Sequence, residues 1–371
     1  MEQIRPRLAV AAAVLLLAPV VLAGCGDGPE RGRWRSGPGS AGPASGSPSP
    51  TGPPEITLAF AGDVHFPATD GGVPNRTGAL LADPATAFGP VAEVLAAADL
   101  AMVNLETAVT TGGTPEPKAF HFRAPPAAYQ AVRAAGVDVV SLANNHALDY
   151  GRDGLADTLA HARDADVPVV GAGVDAAAAY APWVADVSGV RIAYLALSQV
   201  AELWESWRAG DERSGIAYAM DAERAVAAVE AARAAADLVV VFMHWGVEGS
   251  DCPDGRMTGF AAELSAAGAD LVVGSHAHLM LGDGWLGRTF VQYGLGNFLW
   301  WRDDRFSNDT GVLWVTLRGS EIDTVELRPA GISRETGQPI PASGDERDRI
   351  ADAYRALRGC TGLADLPAPA A

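Results

Sequence analysis

Apolar runs of strand length alternate with alanine-rich segments of helical spacing over much of the chain after residue 55. The runs predict strands at ITLAFA (56–61), LAMVN (100–104), VDVVSLA (137–143), VPVVGAG (167–173), WVADV (183–187), VRIAYLALS (190–198), DLVVVFMHW (237–245) and ADLVVGSH (269–276). The spacing between them predicts helices at 84–99, 125–136, 151–166, 221–236 and 257–268. Further strand-like runs, without helices, occupy 288–331. This order indicates an α/β domain with mixed sheets.

Polar side chains mark the ends of five of these predicted strands. They are Asp63 and His65, Asn104 and Glu106, Asn144 with Asn145 and His146, His244, and His276 with His278. Residues i and i+2 of an extended chain project to the same side. Sites in open α/β sheets lie at the carboxyl ends of strands. Five of the seven histidines therefore predict one polar cluster at one rim of the fold.

The chemistry of this cluster suits a metal better than a nucleophile. Imidazole, carboxylate and amide oxygen are available, whereas none of these strand-end motifs contains a cysteine. Such a mixture favours Mn, Fe or Zn over a cysteine-bound structural zinc. About seven ligands exceed what one tetrahedral ion takes and suit two ions that share a carboxylate. We therefore expect two divalent ions.

Charge restricts the partners. The 371 residues carry a formal net charge of −18. Nucleic acid is not expected as a partner, because phosphate binding draws on Lys and Arg. Broad adhesion to anionic polymers or lipids is also disfavoured. An anionic substrate would need a local positive centre.

The N-terminus predicts the compartment. MEQIRPRLAVAAAVLLLAPVVLAGC places Arg5 and Arg7 before an apolar run and small residues before Cys25. This is the layout of a secretory signal. LAGC (22–25) resembles a bacterial lipobox, which implies cleavage before Cys25 and lipid on its thiol. The alternative is an ordinary signal peptide in which the cysteine has no role.

The sequence predicts four segments. Residues 1–25 form the signal peptide and lipobox, and the Gly/Pro/Ser-rich residues 26–54 form a flexible linker. Residues 55–330 form the folded domain, and residues 331–371 a tail with a short helix. We expect a lipid-anchored protein outside the cytoplasm. Cys252 and Cys360 are then either a disulfide or two free thiols.

Seven motifs in order carry a family resemblance between about residues 56 and 300: GDVHF, VNLETAVT, KAFHFRAPP, SLANNHALDYG, HWGVE, GADLVVGSHAH and YGLGNFLW. The pattern resembles the calcineurin-like metallophosphoesterases. More closely, it is similar to the bacterial capsule synthesis protein CapA family, linked to poly-γ-glutamate. The resemblance implies a calcineurin-like metallophosphoesterase fold, a four-layer αββα sandwich with mixed sheets.

The resemblance also implies a ligand set. One metal would take Asp63, His65 and His278, and the second would take Asn145, His244 and His276. Glu106 stands where the phosphoesterases place a bridging aspartate. The sequence departs from their pattern in this Glu and in an N-N-H block. The longer Glu side chain puts phosphatase activity in doubt more than metal binding.

Three further residues receive roles. His146 would act as general acid, or as a charge aimed at the scissile oxygen. Asn104 would orient Glu106 from behind the ligands. Lys118 and Arg123 would ordinarily be surface charges, but Arg123 is the residue we expect to hold a carboxylate or phosphate bidentately.

Two function hypotheses follow. The first is a cell-surface metal-dependent hydrolase or transferase that acts on anionic envelope material, such as poly-γ-glutamate or another capsule component. The second is a non-catalytic metal-binding scaffold that docks on membrane-embedded capsule synthesis proteins. The complete predicted ligand set favours the first.

Overall fold

The computed structural model describes residues 52–67, 69–70, 73–302 and 307–369. The predicted signal peptide, Cys25 and nearly all of the predicted linker lie outside these residues. The predicted domain boundaries stay predictions.

Within the described residues, the strands are β1 (Glu55–Val64), β2 (Thr69–Asp70), β3 (Val73–Pro74), β4 (Leu100–Leu105), β5 (Ala108–Val109), β6 (Arg123–Ala124), β7 (Val139–Ser141), β8 (Val169–Val170), β9 (Ala172–Gly173), β10 (Trp183–Val187), β11 (Val190–Ser198), β12 (Gly215–Ile216), β13 (Leu238–Trp245), β14 (Leu271–His276), β15 (Asp283–Leu286), β16 (Thr289–Gln292), β17 (Asn297–Leu299), β18 (Asp309–Arg318), β19 (Glu321–Ile332) and β20 (Pro339–Pro341).

The helices in the same residues are α1 (Arg76–Leu80), α2 (Ala92–Ala96), α3 (Ala127–Ala134), α4 (Gly151–Asp164), α5 (Ala176–Ala179), α6 (Trp204–Trp207), α7 (Ala222–Ala235), α8 (Gly255–Ala267) and α9 (Gly344–Ala356). Short 3-10 helices occupy Pro84–Thr86, Gly89–Val91 and Leu357–Cys360.

Two mixed sheets form the centre of the fold. The first has the order β20-β19-β18-β1-β4-β7-β8, with β17 also paired to β1. The second has the order β10-β11-β13-β14-β16-β15. In the first sheet β1, β4, β7 and β8 run parallel, and in the second β11, β13, β14 and β16 do so. Antiparallel strands flank both parallel sets.

Alternate side chains of the parallel strands face opposite sides of each sheet, so that two sheets and two outer helical layers pack together. Phe60 of β1 belongs to a core shared with Tyr194 of β11 and Phe242 of β13, so this core lies between the two sheets. Its neighbour Ala61 faces the other way, into a core that includes α3 and α4. On the far side of the second sheet, Val241 of β13 packs in a core with α7 and α8. The predicted αββα sandwich with mixed sheets is confirmed.

One predicted helix is wrong. Residues 84–99 form the 3-10 helices Pro84–Thr86 and Gly89–Val91 followed by the five-residue α2, not one helix. Gly89 has a φ of +62°, which ends a right-handed helix, and Pro90 follows it without a backbone donor. The four other predicted helices correspond to α3, α4, α7 and α8.

The C-terminal residues pack on the second sheet. The Tyr354 hydroxyl of α9 donates to Asp283 Oδ2 of β15 at 2.8 Å. Cys360 forms a disulfide with Cys252 with a Cα–Cα distance of 5.8 Å, so the alternative of two free thiols is excluded. None of the described helices is both long and apolar enough to cross a membrane.

Breaking the disulfide is expected to lower the free energy of unfolding by about 2–5 kcal/mol. The bond joins residues 108 positions apart and so restricts the unfolded chain strongly. Urea unfolding with and without reductant measures the change. The double variant Cys252→Ser, Cys360→Ser is the control and should match the reduced wild-type protein. Equal unfolding free energies of oxidised and reduced protein would contradict the prediction.

Candidate metal centre

The parallel strands of both sheets end at a common rim. The backbone N–H of His276, at the end of β14, donates to Asp63 Oδ2 of β1 at 3.2 Å. Asn104 Nδ2 of β4 lies 3.3 Å from His244 Nδ1 of β13. Asn145 Oδ1, beyond β7, lies 2.8 Å from His244 Nε2. The polar strand ends of the first sheet thus contact those of the second.

A first group of donors could hold a cation. One ligand atom each from Glu106, His244 and His276 lies within 4.8 Å of the others. Glu106 and His244 are fully buried, and His276 is 5% exposed. Among the described atoms, Glu106 Oε1 and His276 Nδ1 have no hydrogen-bond partner. Buried polar atoms are normally paired, so these orphaned atoms fit a bound ion.

A second group lies beside the first. His278 Nδ1 is 3.8 Å from Asp63 Oδ2 and 2.8 Å from Asn297 Oδ1. His65 is fully buried, and neither of its ring nitrogens has a partner within the part of the chain that the structure describes. Its ring stacks on Trp300 at a centroid distance of 4.1 Å and meets Phe122 edge-on at 4.0 Å. Unpaired nitrogens of an imidazole held between two aromatic rings also fit a metal ligand.

The two buried carboxyl groups set the electrostatics of the centre. Burial raises the pKa of Asp63, and burial together with the charge of Asp63 raises the pKa of Glu106 well above its usual range. The Asn104 Nδ2 group donates to Asp63 Oδ1 at 2.8 Å and to Glu106 Oε2 at 3.2 Å. A cation between these acids would favour their ionised forms, since opposite charge lowers a carboxyl pKa. Asn104 has the contact expected of a residue that orients Glu106.

Backbone strain coincides with the H-x-H pair. His276 has a φ of +96° and His278 a φ of +59°, in the region that favours glycine. Strain of this kind costs about 1–3 kcal/mol per residue and concentrates at functional sites. Nearby, a Cβ on Gly62 would lie 1.8 Å from the carbonyl oxygen of Gly296. Only glycine therefore lets β1 approach the loop that precedes β17.

A buried chain of charged groups lies behind His146. His146 Nδ1 is 2.7 Å from Asp149 Oδ2, and Asp149 Oδ1 is 2.9 Å from Lys118 Nζ. The His146 ring stacks on Phe122 at 3.6 Å, and its Nε2 lies 3.9 Å from Glu106 Oε1. Burial, with the Lys118 charge, lowers the pKa of His146 well below its usual range. A neutral ring that donates from Nδ1 to Asp149 leaves Nε2 free to accept a proton beside Glu106.

Sequence reasoning missed Asp149 and undervalued Lys118. Asp149 is three residues after His146 in NNHALDYG, and that spacing was the available signal. The Lys118 side chain is only 2% exposed, whereas Arg123 is exposed. The Arg123 guanidinium lies 4.3 Å from the Tyr150 ring. None of the contacts in the described structure joins Arg123 to the buried carboxylates. The predicted ligands converge, but their roles and that of Arg123 stay predictions.

Comparison with known protein families finds a match over most of the folded part of the chain. The family model for the bacterial capsule synthesis protein PGA_cap matches residues 57–300, more than half of the chain. The chain belongs to this capsule synthesis family. The predicted membership in the CapA-type, poly-γ-glutamate-linked family is thereby confirmed.

Named relatives agree with this membership. The chain is 29% identical over 242 residues to the capsule biosynthesis protein CapA of Bacillus anthracis, covering 65% of this chain and 58% of that protein. It is 28% identical over 288 residues to the PGA biosynthesis protein CapA of Bacillus subtilis, covering 77% and 74% respectively. A probable polyglutamine synthesis accessory protein of Mycobacterium tuberculosis is 35% identical over 191 residues, covering 49% of this chain and 50% of the relative. The match thus spans between half and three quarters of each relative's length.

Solved structures are more distant. Haemophilus influenzae NAD nucleotidase gives a TM-score of 0.45 at 16% identity, covering 85% of this chain and 65% of that chain. A putative 5'-nucleotidase from Staphylococcus aureus gives 0.46 at 16% identity, covering 82% and 58%. Both the TM-scores and the sequence identities are low, so the family assignment rests on the sequence match alone.

Asp149→Asn is expected to lower the free energy of unfolding by roughly 3 kcal/mol, because it removes one partner of a buried ion pair. The matched control is Glu202→Gln. Glu202 also pairs with Lys118, at 3.2 Å, but its side chain is 42% exposed. An exposed partner contributes no more than about 1 kcal/mol. Urea unfolding of the two variants gives the comparison, and equal losses would show that burial of Asp149 does not matter.

Proposed function

We propose that the chain is a lipid-anchored protein outside the cytoplasm that hydrolyses or transfers a bond in an anionic envelope polymer with a dinuclear metal centre. Poly-γ-glutamate or another capsule component is the proposed substrate class. The proposal is supported by family membership and, above all, by the unpaired buried donors Glu106 Oε1 and His276 Nδ1 beside His244. Capsule polymer machinery in the membrane is the proposed partner.

The proposed ligands are Asp63, His65 and His278 for one ion, Asn145, His244 and His276 for the other, and Glu106 for both. Divalent Mn, Fe or Zn supplies Lewis acidity toward a phosphoryl or acyl oxygen when bound. Asn104 orients both Asp63 and Glu106 through one amide group. Ser275 Oγ, 3.0 Å from His244 Nδ1, helps to fix that ring.

His146 is the proposed proton-transfer residue. Asp149 holds its Nδ1 side and Phe122 fixes its ring plane, so that Nε2 points toward Glu106. A proton held on or taken up by Nε2 can move to or from a reacting group at this position. Asp149 also favours the charged form of the ring while the proton is there.

Attraction of an anionic polymer needs positive charge, which the described residues have mainly at exposed positions. Arg123 is the proposed cation for a substrate carboxylate or phosphate. It lies next in sequence to Phe122, which contacts both His65 and His146. Its guanidinium is exposed and can form a bidentate pair.

The location is proposed from the N-terminal sequence. Lipid on Cys25 would anchor the protein, and residues 26–54 would tether the folded part to the membrane surface. The folded part would then reach polymer as it leaves membrane-embedded synthesis proteins.

The decisive measurement is the metal content of the full-length protein. Asp63→Ala and His276→Ala are each expected to lose about one ion or more, since a shared carboxylate couples the two positions. His161→Ala is the matched control, because His161 lies on α4 and outside the strand-end motifs. Unchanged metal content in both site variants would refute the centre.

Activity is tested on the same samples with a phosphodiester and with poly-γ-glutamate. Cleavage or transfer by the wild-type protein that is lost in Asp63→Ala supports the enzyme. A protein that binds two ions and acts on neither substrate supports the scaffold instead.

A further inference from the structure

The chain contains 27 lysines and arginines, of which 26 are arginine and Lys118 is the single lysine. Its side chain is 2% exposed, and its ammonium contacts three oxygen atoms. These are Asp149 Oδ1 at 2.9 Å, Glu202 Oε2 at 3.2 Å and the backbone carbonyl of Asn145. The Trp207 ring lies 5.0 Å away on another side.

Such a site favours an ammonium over a guanidinium. Lysine presents a compact charge with three donors that rotate about one atom, whereas arginine presents a rigid planar fork. The three oxygen atoms around Lys118 Nζ come from separate positions of the chain, so one compact donor can contact them all. Burial of an unpaired ammonium is strongly unfavourable, and here two carboxylates offset that cost.

Lys118 contacts one of the proposed metal ligands and another residue that holds the proposed proton-transfer residue. Asn145, whose carbonyl accepts from Lys118, places its side-chain oxygen 2.8 Å from His244 Nε2. Asp149, whose carboxylate pairs with Lys118, holds the His146 ring. The segment that carries Lys118 also wraps around Asp149. The Glu116 N–H donates to the Asp149 carbonyl at 2.9 Å, and the Phe122 N–H donates to its Oδ2 at 2.5 Å.

We propose that Lys118 is a positioning residue of the metal centre: its ammonium fixes Asn145 as a ligand and, through Asp149, fixes the His146 ring. This inference rests on the proposed function, since it assigns Lys118 a role at that centre. It is a role for a residue that is not among the proposed ligands.

The first test is Mn²⁺ affinity, measured by calorimetry on the full-length wild-type protein, Lys118→Met, Lys118→Arg and Arg163→Met. Lys118→Met is expected to weaken binding about 10- to 100-fold, as is typical when a partner of a metal ligand is lost. Arg163→Met removes an exposed cation of α4, whose side chain is 77% exposed, and should bind as the wild type does. Lys118→Arg keeps the charge and should recover part of the loss.

The second test uses the fact that there is one lysine. Labelling with [ζ-15N]lysine gives a single side-chain signal. This signal is expected to shift when Zn²⁺ is titrated into the metal-free protein, because Lys118 contacts Asn145. Urea unfolding checks that each variant is folded. If Lys118→Met does not fold, Lys118→Gln, which keeps donors but no charge, takes its place.

Wild-type affinity in the folded Lys118→Met or Lys118→Gln protein would overturn the inference. So would equal losses in Lys118→Met and Arg163→Met. Failure of the wild-type protein to bind Mn²⁺ or Zn²⁺ would instead overturn the proposed function, so the two failures are distinguishable.

Discussion

The burial of two carboxylates where the two sheets meet is the constraint on which the rest of the centre depends. Asp63 and Glu106 are both fully buried, and burial raises the pKa of each. An uncompensated carboxylate in such a place is costly, so it is either protonated or balanced by a cation. Burial also lowers the pKa values of His244 and His276, which favours their neutral forms. Neutral imidazoles beside acids that need a cation are the donor set that divalent transition metals use.

The fold supplies this arrangement through the direction of its strands. Parallel strands end at the same edge, and here two parallel sets face each other with their carboxyl ends together. Close backbone approach then brings the motifs into contact. Gly62 allows the carbonyl of Gly296 to accept from the Asp63 N–H at 2.9 Å. The strained His276 backbone lets its own N–H donate back to Asp63.

Much of the centre could be predicted because its residues lie at the ends of strongly patterned strands. The i, i+2 spacing of Asn104 and Glu106 is a property of extended backbone and is visible in the sequence. The partners in loops were harder to predict. Lys118 and Asp149 are 31 positions apart by number, and only the packing of the intervening segments places them 2.9 Å from each other. Helix prediction at 84–99 failed because alanine-rich composition hid the break at Gly89 and Pro90.

The division between strands and loops bears on what the centre can do. Proposed ligands such as His244 are held by sheet hydrogen bonds, whereas His146 and Lys118 are held by loop contacts that charge pairing maintains. Within the proposal, one divalent ion would only balance Asp63 and Glu106. A second ion would leave the centre positive, and a positive centre beside Arg123 would attract an anionic polymer to a chain of net charge −18. The proposed second ion therefore agrees with the proposed substrate class.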